Sequence, residues 1–155
     1  MIQRIQTLYL LLVVVLSCIM LFSPMVDLYD KSGALVYRLT RQGVFQTGDT
    51  ENTLKLTTWC LTVISAIVPL VALATILLFK KRLIQIRLSI FNIVLMFGFY
   101  ALLFIYIWLA KQQLATDWYL RIVCAFPLVN VILTVLAVRA IGKDEALVKS
   151  LNRLR

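Results

Sequence analysis

Eight residues, Lys80-Lys81-Arg82-Leu83-Ile84-Gln85-Ile86-Arg87, separate two long apolar runs and carry four cations. Thr57 to Phe79 precedes them and Leu88 to Ala110 follows. Each run is about 23 residues, or about 34 Å as a helix, enough to cross the hydrocarbon of a bilayer. A segment between two such runs lies in water. Its charge sets the side, because Lys and Arg beside helix ends are retained in the cytoplasm. Lys80, Lys81, Arg82 and Arg87 are therefore the expected topology determinants.

The rest of the chain follows from that fixed point. Thr7 to Val26 is long enough to span, and it continues through Ile19-Met20-Leu21-Phe22 past the faintly lipoprotein-like Val15-Leu16-Ser17-Cys18. It is read as a retained first helix rather than a signal peptide. Leu120 to Val138 forms a fourth run, containing Pro127 and Asn130. The expected fold is an all-α membrane protein, a four-helix transmembrane bundle in one domain. Its spans fall at about 7–26, 57–79, 88–110 and 120–138, with an outer loop at 27–56, an inner turn at 80–87 and an inner tail at 139–155.

The outer loop from Asp27 to Leu56 departs in composition, holding four acids, four cations and three glycines. Ala34 to Arg41 alternates, with Leu35, Tyr37 and Leu39 on one face and Arg38 and Thr40 on the other, which is strand patterning. Val44 to Gln46 is an expected second strand and Val26 to Tyr29 a lead-in strand. Together they predict a β-hairpin or short antiparallel sheet resting on the helix ends. At the other end, Arg139 to Gly142 is expected to close the fourth helix. Lys143 to Arg155 then forms an amphipathic helix on the inner membrane surface, with Asp144 and Glu145 at its N-terminus.

A net charge of +9, from 16 cations and 7 acids, would in a soluble chain suggest nucleic acid. Here 62% of residues are apolar against roughly 45–50% in soluble domains, and the charges sit in loops and termini. With both termini inside, ten cations face two acids in the cytoplasm and six face five outside, giving +8 and +1. Topology and attraction to anionic lipid account for the balance, with no nucleic-acid partner. Trp59, Trp108 and Trp118 all fall at expected outer helix ends, as an aromatic belt requires.

Within the spans, Thr58, Thr62, Ser65, Pro69 and Ala72 share a face of the second helix and predict a close-packing seam, with Pro69 kinking the helix. Asn92 and Asn130 are the two Asn in the spans, and each is read as a bond to a neighbouring helix. Phe97, Tyr100, Phe104 and Trp108 share a face of the third helix, either ordinary bundle packing or a surface for lipid or another apolar ligand.

Reactive chemistry is not evident. The chain has no His and three Cys, Cys18, Cys60 and Cys124, none in a Cys-x-x-Cys pair. No ionisable side chain falls at a span centre, where one costs roughly 2.5–3.5 kcal/mol on insertion scales. The carboxylate of small multidrug exchangers, the paired Cys of quinone-linked disulfide oxidases, the His of cytochrome b carriers and the residue sets of intramembrane proteases have no counterparts. The expectation is no catalytic residue, no metal and no cofactor.

Two stretches bring a family into view: Met1-Ile2-Gln3-Arg4-Ile5-Gln6-Thr7-Leu8-Tyr9-Leu10 and the tail from Arg139-Ala140-Ile141-Gly142-Lys143-Asp144-Glu145 to Leu154-Arg155. They closely resemble an uncharacterised Bacteroidota family of four-span membrane proteins, domain of unknown function 4293. The resemblance implies a bacterial inner-membrane protein, consistent with the multi-pass reading and cytoplasmic termini expected from the charges, and it brings no activity or site residues. Four helices with a strand-bearing first outer loop also look like the claudin superfamily in architecture, although the loop lacks the Trp and paired Cys of that family.

The resulting expectation is a non-enzymatic accessory or scaffold subunit in contact with membrane lipid and with a membrane-protein partner or a second copy. Tyr37, Arg38 and Arg41 on the outer loop and Lys149 and Arg153 on the inner tail are its candidate contacts. The alternative is a binding module for lipid or a small apolar ligand on the Phe97, Tyr100, Phe104 and Trp108 face. A small transporter comes third.

Overall fold

A computed structural model describes residues 3–29, 35–40, 43–46, 54–78, 81–114 and 117–153, with side-chain detail over 5–29, 37–40, 43–45, 57–78, 81–112, 117–144 and at 146. The chain runs α1 (Gln3–Phe22), β1 (Val26–Tyr29), β2 (Leu35–Leu39), β3 (Gly43–Gln46), β4 (Leu54–Thr57), α2 (Trp59–Leu77), α3 (Arg82–Leu114), β5 (Asp117–Leu120), one 3-10 turn (Ile122–Ala125) and α4 (Phe126–Arg153). All four helices contain stretches long and apolar enough to cross a membrane, so length and composition identify a membrane protein. α1 and α3 each pack against both α2 and α4, making a four-helix ring.

The strands form one antiparallel sheet in the order β4-β3-β2-β1-β5. It sits where α1 and α3 end and α2 and α4 begin. β1, β2 and β3 fall where the alternation predicts them. β4 and β5 extend the expected sheet: β4 occupies Leu54–Thr57 at the foot of the second apolar run, and β5 lies between the third and fourth runs and takes in Leu120, the expected first residue of the fourth span, so that α4 starts only at Phe126. β5 pairs with β1, so the α3–α4 connection completes a sheet begun between α1 and α2.

Local chemistry sets the boundaries. α1 stops at Phe22 because Pro24 has no N–H to donate and disfavours helix at Ser23. Four residues beyond the helix, Val26 enters β1 rather than ending a span, a correction of the expected limit. Pro127 sits second in α4, where a missing N–H costs nothing. Pro69 is buried within α2, which runs through it as one helix from Trp59 to Leu77. The α2–α3 turn is shorter than the basic stretch: the Lys81 carbonyl already accepts from Gln85 N, and Arg82 to Arg87 form the first turns of α3.

The tail is also corrected. Gly142 does not close the fourth helix; α4 continues to Arg153. The amphipathic stretch is helical, as expected, but extends α4 instead of starting a helix of its own, so Asp144 is not at a helix N-terminus.

Val26, Leu28, Leu39 and Val44 on the sheet underside pack with Met20, Leu61, Phe99, Leu103 and Ile107 from the helices and with Met25 from the α1–β1 link. For side chains taken out of water this burial contributes about 1.5–3 kcal/mol each. Deeper in the bundle lies a smaller cluster of Val13, Val68, Ala72 and Met96. Between helices in lipid, such contacts stabilise through packing rather than the hydrophobic effect. The expected seam on α2 is present: Thr58, Ser65, Pro69 and Ala72 are buried, with Thr62 partly so.

Candidate functional site

On the sheet, register decides which side chains face away from the bundle. Val26 pairs with Leu39 and Leu120, so its side faces inward; Asp27 pairs with Arg38 and Tyr119, and Arg38 with Phe45, so these share the outward side. Asp27 is buried there between two guanidiniums. Arg38 Nε donates to Oδ1 at 3.1 Å and Arg121 Nε to Oδ2 at 2.7 Å. Strands β1 and β2 and the residue that follows β5 are thereby held at one carboxylate, and one positive charge is left over. Tyr29 and Tyr119 meet edge-to-face with ring centroids 5.2 Å apart, a geometry worth about 0.5–1.5 kcal/mol. Tyr119 remains 64% exposed through its place on the edge strand.

The expected contact residues divide. Tyr37 packs against the apolar core under the sheet, while the Arg38 side chain, held on Asp27, stays partly exposed on the outward side. Arg41 lies outside the described residues, as does Lys80, and Lys149 and Arg153 lie on α4 beyond its described side chains. Sequence reading did not name Asp27, Arg121, Tyr29 or Tyr119 as contact residues. Their grouping depends on β1–β5 pairing across about 90 residues, for which local patterning offers no signal. Lys81 and Arg87 are exposed at the far end of the bundle, and Arg82 opens α3 beside them.

The aromatic face on α3 also divides. Phe97, Phe104 and Trp108 point outward, each between 57% and 61% exposed. Tyr100 instead turns toward α4, where its hydroxyl donates to the Cys124 carbonyl at 2.7 Å and accepts from Leu128 N at 3.1 Å. Three rings thus face away from the bundle, and the fourth is a strut between helices.

Inside the bundle, one stripe of α3 is buried from end to end: Gln85, Ser89, Asn92, Met96, Phe99, Leu103, Ile107 and Ala110. Its sheet half is apolar and its far half is polar. Gln6 and Thr75 are buried in the far parts of α1 and α2, and Asp144 in that of α4. Gln6 Nε2 donates to Asp144 Oδ2 at 2.8 Å, and Thr75 Oγ1 donates to the Val71 carbonyl at 2.7 Å. Asn130 does bond a neighbouring helix, donating to Ser17 Oγ at 3.0 Å, as the sequence suggested. Asn92 does not: it is 1% exposed, and neither its amide oxygen nor its amide nitrogen has a hydrogen-bond partner among the described residues. The same holds for Ser89 Oγ, Asn130 Oδ1 and Arg82 Nη1. Each neutral group left so costs about 1–3 kcal/mol by protein mutational measures.

Among the described residues no group of three or more His, Cys, Asp or Glu side chains is placed to hold a metal ion. Cys18, Cys60 and Cys124 are free thiols; the Cys124 thiol donates to the Met25 carbonyl at 2.9 Å. A family model described as a domain of unknown function, DUF4293, matches residues 2–154. No curated protein and no solved structure matches the chain.

Proposed function

The chain belongs to the DUF4293 family of unknown function, and on that premise we propose a non-enzymatic membrane accessory or scaffold protein that holds a membrane-protein partner at its sheet. The supporting observation is the outward side of the sheet, which carries the Tyr29–Tyr119 ring pair and, on Asp27 opposite Tyr119, the guanidiniums of Arg38 and Arg121. Tyr and Arg are the residue types that dominate binding energy at interfaces. Here both guanidiniums and both rings are held in place before any partner arrives, which lowers the ordering cost of association. The surplus positive charge fits a partner presenting a carboxylate.

In this reading the sheet faces the outside of a bacterial inner membrane, with the basic α2–α3 turn and both termini in the cytoplasm, an orientation supported by the cation excess on that side. A claudin-like layout, with strands between the first two spans, belongs to the same proposal.

The test is purification of a tagged full-length copy from its own membranes in mild detergent, with mass spectrometry of proteins and lipids in one sample. A stoichiometric membrane protein that is lost from Tyr119→Ala supports the scaffold. Migration of the chain alone overturns it. A second reading, lipid binding along Phe97, Phe104 and Trp108, is favoured by the outward exposure of those rings. It predicts a retained lipid without a protein partner.

A further inference from the structure

We infer that the far half of the bundle holds a binding site for a small uncharged group that both donates and accepts hydrogen bonds, lined by Ser89 and Asn92 of α3. This site is separate from the sheet surface and does not depend on the scaffold reading.

The argument starts from helix geometry. Gln85, Ser89 and Asn92 are spaced by four and three residues, so they share the face that Met96 and Phe99 continue toward the sheet. The hydroxyl of Tyr100 fixes its level at the first turn of α4. Asn92 then lies about 12 Å further from the sheet, inside the span rather than at its border. In the hydrocarbon region no bulk solvent reaches an orphaned amide, so its partners must come from the protein or from a molecule held within it. Among the described residues none does so for either amide atom of Asn92 or for Ser89 Oγ. Three polar atoms on adjacent turns of one buried face are thus left open together.

Their chemistry defines the ligand. An amide nitrogen donates, an amide oxygen accepts and a hydroxyl does either, so the complement carries donor and acceptor at once and no net charge. On the sheet side the stripe becomes Met96, Phe99 and Leu103, which closes the site in that direction with apolar packing. Ordered water and the hydroxyl or amide of a small solute share the required chemistry.

Two measurements on the full chain in mild detergent test the site. The first is thermal unfolding of Asn92→Leu, a substitution of similar volume without polar atoms. If Asn92 is dry and unpartnered, Leu removes a penalty and the midpoint rises. If Asn92 is engaged, the midpoint falls, by about 3 °C or more. The second is Ser89→Cys in the otherwise native chain, treated with a small charged methanethiosulfonate and read residue by residue by mass spectrometry. Buried Cys124, whose thiol is bonded to Met25, is the internal control. A polar site predicts modification at position 89 while Cys124 stays protected. A rise in midpoint, or protection at position 89 equal to that of Cys124, overturns the inference; if Asn92→Leu does not fold, the labelling alone decides. Organic extracts separate the sources: a solute present with the native chain and lost from Asn92→Leu identifies a solute, and identical extracts identify water.

Discussion

Gln6 donates to the Asp144 carboxylate at 2.8 Å across 138 residues of chain, joining the first turns of α1 to the extended end of α4. Both side chains are buried, so the bond is made away from competing water. Gln6→Leu leaves the carboxylate without that donor, and a hydrogen bond to a charged group is worth about 1.5–3 kcal/mol. The expected loss of stability is of that size in denaturant or thermal unfolding in detergent. Asp144→Asn, which retains an acceptor, is expected to cost less. Adding Asp144→Leu to Gln6→Leu recovers part of the loss, because no polar group is then stranded. Equal costs for all three variants would show that the bond contributes nothing specific.

Asp27 serves two cations, which makes the arrangement asymmetric. Asp27→Asn leaves Arg38 and Arg121 without their counter-charge and is expected to cost about 1–3 kcal/mol. Arg38→Met leaves Asp27 still neutralised by Arg121 at 2.7 Å, and because Arg38 is partly exposed the loss is at most about 1 kcal/mol. Unfolding of the two variants side by side checks the order. If Arg38→Met costs as much as Asp27→Asn, the pairs do not share one anchor.

Tyr100 caps α4 from a neighbouring helix. The first turn of any helix has N–H groups without internal partners; Pro127 removes one, and the Tyr100 hydroxyl accepts from the next, at Leu128. Tyr100→Phe keeps the ring and deletes both of its bonds, at a cost of about 1–2 kcal/mol. The local readout is faster hydrogen exchange at the Leu128 amide than in the native chain. Unchanged exchange there would remove the capping role.

The parts of this fold written in local periodicity are legible in the sequence. Four apolar runs give four helices, and alternation from Leu35 to Leu39 gives β2. The parts made by distant pairing are not. Asp117 to Leu120 is a strand because β1 lies beside it, and its own four residues carry no sign of that. Leu54 to Thr57 merges with the apolar run that follows, which hides the change of period from two to 3.6. The polar stripe on α3 is different, since Gln85, Ser89 and Asn92 stand at spacings of four and three in register with Met96, Phe99 and Leu103. That signal was available, and treating Asn92 singly as a bond to another helix obscured it.

Gly142 tests the continuity of α4 most directly. A glycine followed by charged residues is a common helix stop, because glycine readily takes the left-handed conformation that ends a helix. Here α4 runs through it, and a methyl group added at its Cα would meet nothing within 4 Å. Gly142→Ala therefore faces no steric cost. It also removes backbone freedom from the unfolded chain, and within a helix it is expected to stabilise by about 0.5–1 kcal/mol. If the helix instead broke at this residue in a left-handed turn, alanine would be strained and the same substitution would destabilise. The sign of the change in thermal midpoint separates the two conformations. A rise places the amphipathic stretch on one continuous helix with the bundle, where Asp144 reaches Gln6. A fall separates the stretch from the fourth span and leaves that bond without the backbone that positions it.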